Sequence, residues 1–156
     1  ALKPAEAAAR LASEIEMTSD ARLARRALDL SFGLPVKLQS AALASAARSG
    51  EPAIRMAGLE LAAARRDLEG RKILREAAGR DSVEEVTDLA CSLLAAAADA
   101  DAMGLLVELA SSDREARARA AGEALRSATR EDRYTKAEWA IWWKRTKESF
   151  PPGPSE

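Results

Sequence analysis

The sequence predicts an all-α fold: a right-handed α-α superhelix of about four helix pairs, closed by one further helix. Three observations predict it. Asp20, Glu51, Ser82 and Asp113 follow one another at intervals of 31 residues, and Leu43, Leu74 and Leu105 keep the same period. A fixed period of this length marks stacked copies of one supersecondary unit. The chain is 47% hydrophobic, mostly Ala and Leu, and contains no alternating run of β-branched residues. Such a composition favours helix over sheet. The six prolines stand near expected helix starts or in the tail, outside the helical patterns.

Each element follows from local signals. Pro4 suits the first turn of a helix running to about Met17. Thr18-Ser19-Asp20 supplies capping residues for a second, to about Phe32. Gly33-Leu34-Pro35 stops it and opens a third, to about Arg48. Ser49-Gly50-Glu51-Pro52 repeats the device ahead of a fourth, to about Arg66. A fifth runs from about Leu68 to Ala78, stopped by Gly79. Asp81-Ser82 caps a sixth to about Ala98, and Asp99 or Asp101 a seventh to about Ala110. Ser111-Ser112-Asp113 caps an eighth to about Ala128, and Thr135 a ninth to about Ser149. The expected organisation is a single domain over 1–150. Its repeat units are about 4–33, 34–66, 67–98 and 99–130, with a cap at 131–150 and a disordered tail at 151–156. Short connections make successive helices neighbours. The fourth helix carries apolar residues on two sides, and Gly58 within it permits close backbone approach.

The segment from Glu51 to Leu59, with its acid, Pro52, Ile54-Arg55 and the small Ala57-Gly58, resembles the second helix of a HEAT repeat. Asp113 to Ala121 is similar, with Ala116 at the aliphatic position. Asp20 to Ala24 keeps the acid and Leu23 but lacks the Arg. The unit at Ser82 fits after a one-residue slip that places Val86 at the aliphatic position. The resemblance covers roughly residues 5–128 and is nearest to short HEAT-like repeats of bacterial proteins and phycobilin lyases. It implies a HEAT/armadillo-like solenoid used as a binding scaffold, in which Arg55 and Arg117 are structural. It is specific for architecture and nearly silent on function.

The chemistry available is narrow. The chain has no histidine, so the commonest general base and metal ligand is missing. Its single cysteine, Cys91, lies among Leu89, Ala90, Leu93 and Leu94 and is expected to be a buried, inert thiol. Asp99 and Asp101 with Asp88 or Glu85 lack the spacing of a calcium loop. No phosphate loop or nucleophile elbow occurs, so no catalytic residue, metal site or cofactor is assigned. The net charge of −1 exerts no global pull toward nucleic acid. The longest apolar stretches, such as Leu89–Ala98, are too short to span a bilayer, and no signal peptide opens the chain. A cytoplasmic location is favoured; export, or membership of a larger chain, are the alternatives.

Five of the six aromatic residues fall between Tyr134 and Phe150. Trp139, Trp142, Trp143 and Phe150 share one helical stripe, with cations on the other side. The expectation is a structural cap over the last repeat. Charge is segregated too. No Lys or Arg occurs from Asp81 to Asp113, whereas both flanks are arginine-rich. The plain reading is attraction between neighbouring repeats. The expected function is a non-catalytic protein–protein interaction scaffold whose partner is another protein. Its surface is formed by the second helices, with Arg22, Arg55, Glu85 and Arg117 as candidate binding residues. The alternative is a nucleic-acid binder using the Arg-rich faces. An enzyme of the lyase or glycosylase kind is disfavoured by the missing histidine.

Overall fold

Helix forms wherever the alanine-rich segments lie. A computed structural model describes residues 3–131 and 135–154. The described residues contain no strand and nine α-helices. These are α1 (Pro4–Met17), α2 (Ala21–Phe32), α3 (Val36–Ala47), α4 (Pro52–Arg65), α5 (Leu68–Arg80), α6 (Glu84–Ala97), α7 (Ala100–Ala110), α8 (Glu115–Thr129) and α9 (Lys136–Thr146). A 3-10 turn, η1 (Lys147–Ser149), ends the series. The protein is therefore all-α, as expected.

Boundaries moved at four points. Gly79 does not stop α5, which continues to Arg80. The last helix tightens into η1 before Ser149. Ser82 and Asp113 are not N-caps; those positions fall on Val83 and Arg114. A polar side chain two residues ahead of the cap is what recurs. Thr18 Oγ1 accepts from the Asp20 N–H at 3.0 Å and Ser49 Oγ from Glu51 at 3.2 Å. Asp81 Oδ1 accepts from Val83 at 2.9 Å and Ser112 Oγ from Arg114 at 3.2 Å. These side-chain turns aim the chain into each second helix. Measured from them, the repeat runs with one residue inserted before α6, which accounts for the slip in the Ser82 unit. Asp20, Asp99 and Thr135 do cap, bonding the N–H groups of Arg22, Ala102 and Glu138.

The second helices end alike. Arg66, Ala98 and Arg130 follow α4, α6 and α8 with φ of 53°, 51° and 59°, a left-handed conformation normally taken by glycine. Gly33, at the end of α2, remains right-handed.

The chain divides into two compact units, Ala1–Ile73 and Leu74–Glu156, and α5 spans the division. In the first, α1 packs on α2 and α3, α2 on α3 and α4, and α3 on α4. Its core joins Ile15, Ala24, Ala27, Leu28, Ala42, Ala46 and Ile54. Gln39 donates to the carbonyls of Phe32 (3.2 Å) and Leu34 (2.8 Å), holding the α2–α3 turn. In the second, α6 packs on α7 and α8, and α7 on α8, α9 and η1.

Small residues set the helix spacing. A Cβ on Gly58 would lie 2.8 Å from the Ala46 Cβ of α3, and one on Gly70 would lie 2.2 Å from the Ala62 carbonyl oxygen. Gly58→Val is expected to lower stability by about 1–3 kcal/mol, because the Ala46 Cβ in its way is fixed to the α3 backbone and cannot rotate aside. Urea unfolding of the variant beside the parent chain would measure the loss.

Candidate functional site

The second helices carry their chemistry on their outer faces. In the first unit, a shallow groove of about 340 Å³ runs between α2 and α4. Leu28, Phe32, Ala57, Leu61 and Ala64 supply its apolar lining, and Arg25, Asp29 and Glu60 its polar residues. Phe32 is 50% exposed there. Arg25 sits between two acids, donating to Asp29 at 3.1 Å within α2 and to Glu60 on α4. The Glu60 bond, then the Asp29 bond, hold the Arg25 guanidinium above its ordinary pKa. A more polar concavity of about 320 Å³ lies between the α1–α2 and α3–α4 turns, lined by Met17, Thr18, Ser45, Arg48 and Glu51 among others.

The second unit repeats the ionic device in mirror order. Arg119 on α8 reaches Glu84 and Asp88 on α6, the latter at 3.1 Å, and Glu123 on its own helix at 3.1 Å. Its bonds to Asp88 and Glu84 raise the guanidinium pKa well above normal. The acid-only stretch and the arginine-rich one therefore attract each other between α6 and α8. Arg25–Glu60 and Arg119–Glu84 are each 35 residues apart. That separation is one repeat plus one helical turn. Opposite charges at that interval were the signal available in the sequence.

A third cluster has no counterpart among the residues the sequence singles out. The Arg65 side chain, 4% exposed, bonds Asp67 at 2.8 and 2.5 Å, Glu69 at 2.9 Å and Ser40 Oγ at 3.3 Å. Asp67 also accepts from the Gly70 N–H at 2.8 Å. Burial pushes the Asp67 carboxyl up, but the Gly70 and Arg65 bonds together bring its pKa below the usual value. This cluster ties α3, α4 and the start of α5 together.

The four candidate binding residues have unlike settings. Arg22 is exposed in the first turn of α2. Arg55 is half-buried and donates to the carbonyls of Ser49 (2.9 Å) and Gly50 (3.1 Å), bracing the α3–α4 turn. Glu85 is exposed in the first turn of α6, and Arg117 is half-buried on α8. Counted from their N-caps only Arg22 and Glu85 share a position (the second); Arg55 stands at the fourth and Arg117 at the third, so the four do not form one column on the repeat.

The aromatic stripe packs on α7. Trp139 is 2% exposed, Trp142, Trp143 and Phe150 are half-buried, and Ile141 opposite them is exposed. Trp139 meets Trp142 edge-on at 5.4 Å, and Phe150 lies 6.0 Å from Trp142 and 5.7 Å from Trp143. Trp143 lies over Gly104 of α7, where a Cβ would approach the indole to 3.2 Å. Pro151, in the segment assigned to a disordered tail, accepts from the Ala100 N–H at 2.8 Å, and Gly153 lies against Asp101. Tyr134 and Arg133 lie outside the described residues.

Among the described residues no three metal-ligating side chains converge, and no helix is long and apolar enough to cross a membrane. Asp99 serves as the α7 cap. Cys91 is fully buried, and burial, with the Asp88 charge second, pushes its thiol pKa to about 12. Comparison with protein-family models, curated proteins and solved structures finds no match.

Trp139→Ala is expected to cost about 3–5 kcal/mol, since a buried indole would leave a cavity against α7. Unchanged chemical denaturation would mean that the indole is not packed. Cys91 should react with a thiol reagent only as fast as the native chain opens, because the thiolate is scarce and shielded. Labelling kinetics at several pH values check this.

Proposed function

We propose that the chain is a non-catalytic protein-interaction scaffold built of HEAT-like helix pairs stacked as a solenoid. Within the first unit, first helix packs on first helix (α1 on α3) and second on second (α2 on α4). That alternation supports stacked pairs. The observation that carries the functional reading is the α2–α4 groove. It combines an apolar lining, a half-exposed Phe32 and a charged rim of one arginine and two acids. Aromatic anchors in partly desolvated clefts are the usual centres of protein recognition. Pairing of Arg25, Arg65 and Arg119 with acids removes three cations from the pool a phosphate backbone would need.

Peptides selected from a displayed library against the chain should lose about tenfold in affinity on Phe32→Asp. Binding indifferent to Phe32, or no selection above background, would sink the reading. Duplex DNA should show no salt-sensitive association near physiological ionic strength.

A further inference from the structure

The four second helices share one register. At the third, sixth and tenth positions after the N-cap, α4 places Ile54, Ala57 and Leu61. Ile54 is fully buried in the core that includes Ala24, Ala27 and Leu28 of α2, and Ala57 and Leu61 pack against that core. This edge of α4 is therefore where one second helix docks on the one before it. On α2 the same three positions are Leu23, Arg26 and Leu30. Leu23 is 48% and Leu30 59% exposed. Thus α2 presents a docking edge that no described helix covers. The two leucines stand about 10.5 Å apart along the axis. That is two turns, the spacing of anchors for an α-helix laid alongside.

Charge selects the occupant. Where α4 has Ala57, α2 has Arg26, and Arg22 stands one turn before it on the same exposed side. A second copy would pair Leu23 with Leu30 about a two-fold axis and bring Arg26 against Arg26, a like-charge contact that disfavours it. A phosphate backbone would meet the arginines but leave the leucines in water. We propose that the α2 edge docks an acidic amphipathic helix of a partner protein, its apolar residues on Leu23 and Leu30 and its carboxylates on Arg22 and Arg26. This rests on the interaction reading but uses a different face from the α2–α4 groove.

The test uses the full chain and a labelled synthetic helix of about five turns, with leucines on one stripe flanked by glutamates. A control peptide carries lysines in place of the glutamates. Fluorescence anisotropy is expected to show saturable binding of the glutamate peptide, about tenfold tighter than the control. Leu23→Asp with Leu30→Asp should weaken it by about the same factor, and Arg22→Glu with Arg26→Glu should reverse the preference. Circular dichroism verifies that these exposed substitutions leave the helices intact. Equal binding of both peptides, or none, overturns the inference. Binding that survives at Leu23 and Leu30 but fails in Phe32→Asp moves the occupant into the groove, overturning this inference while the scaffold reading stands. A concentration-dependent dimer lost in Leu23→Asp would assign the edge to a second copy. Displacement of the peptide by duplex DNA at physiological salt would assign it to nucleic acid.

Discussion

Close approach between helices through alanine and glycine is the constraint on which the rest of the structure depends. Gly58 lets α4 lie against Ala46 of α3, and Gly70 lets the first turn of α5 touch the backbone of α4 at Ala62. Helices this near leave little room for large apolar side chains, so the core is assembled mainly from Ala with single Leu, Ile or Val residues between. Such a core gains less per residue from burial than a leucine-rich one. It compensates through dispersion contacts at short range, which are lost steeply when a gap opens. The same logic governs α9, where a large indole is accommodated because Gly104 offers a flat patch of backbone beneath it.

Tight spacing also makes the polar ends of the helices consequential. A side-chain turn from Thr18, Ser49, Asp81 or Ser112 stands before each second helix and fixes its entry. A left-handed residue closes three of the four. Because Arg66, Ala98 and Arg130 hold that conformation without being glycine, the surrounding packing must offset its cost, roughly 1–2 kcal/mol for a residue with a Cβ. The Arg65 cluster adds an ionic clasp, with a buried guanidinium and part-exposed acids, beside one of these turns. Breaking one partner of such a cluster is costlier than its net contribution suggests, since the charges left behind are partly desolvated.

Much of this was legible in the sequence. The nine helices, the caps at Asp20 and Thr135, the burial of Cys91 and the close packing at Gly58 follow from periodicity, residue type and residue size, while the choice of Asp99 over Asp101 for α7 does not. The register of the caps was not. The 31-residue interval from Asp20 and Glu51 falls on Ser82 and Asp113, whereas the bonding side chains are Asp81 and Ser112. Hydroxyls and carboxylates crowd each turn, and which one reaches an N–H depends on backbone angles that composition does not report. Gly79 shows the same limit: glycine permits a helix to end but does not compel it, and α5 runs through it to Arg80. Charge and the HEAT-like pattern mark Arg22, Arg55, Glu85 and Arg117 but do not report what each side chain bonds. Arg55 proves to brace a turn, and the pairing of Arg25 and Arg119 emerges only when one repeat and one helical turn are added together.

That pairing changes how the surface charge should be read. Counted along the chain, arginines are abundant and suggest an anionic partner. Counted in space, Arg25 and Arg119 are each shared among acids of two neighbouring helices, and Arg65 is buried among its own. Exposed pairs of this kind contribute little stability individually, but acids outnumber the arginine in both exposed clusters, two to one at Arg25 and three to one at Arg119. The informative cations are then those standing where the other second helices have an apolar residue (Ala57, Leu89 and Ala120). Arg26 is such a residue, and the leucines on either side of it turn a charge anomaly into a surface with shape, polarity and sign.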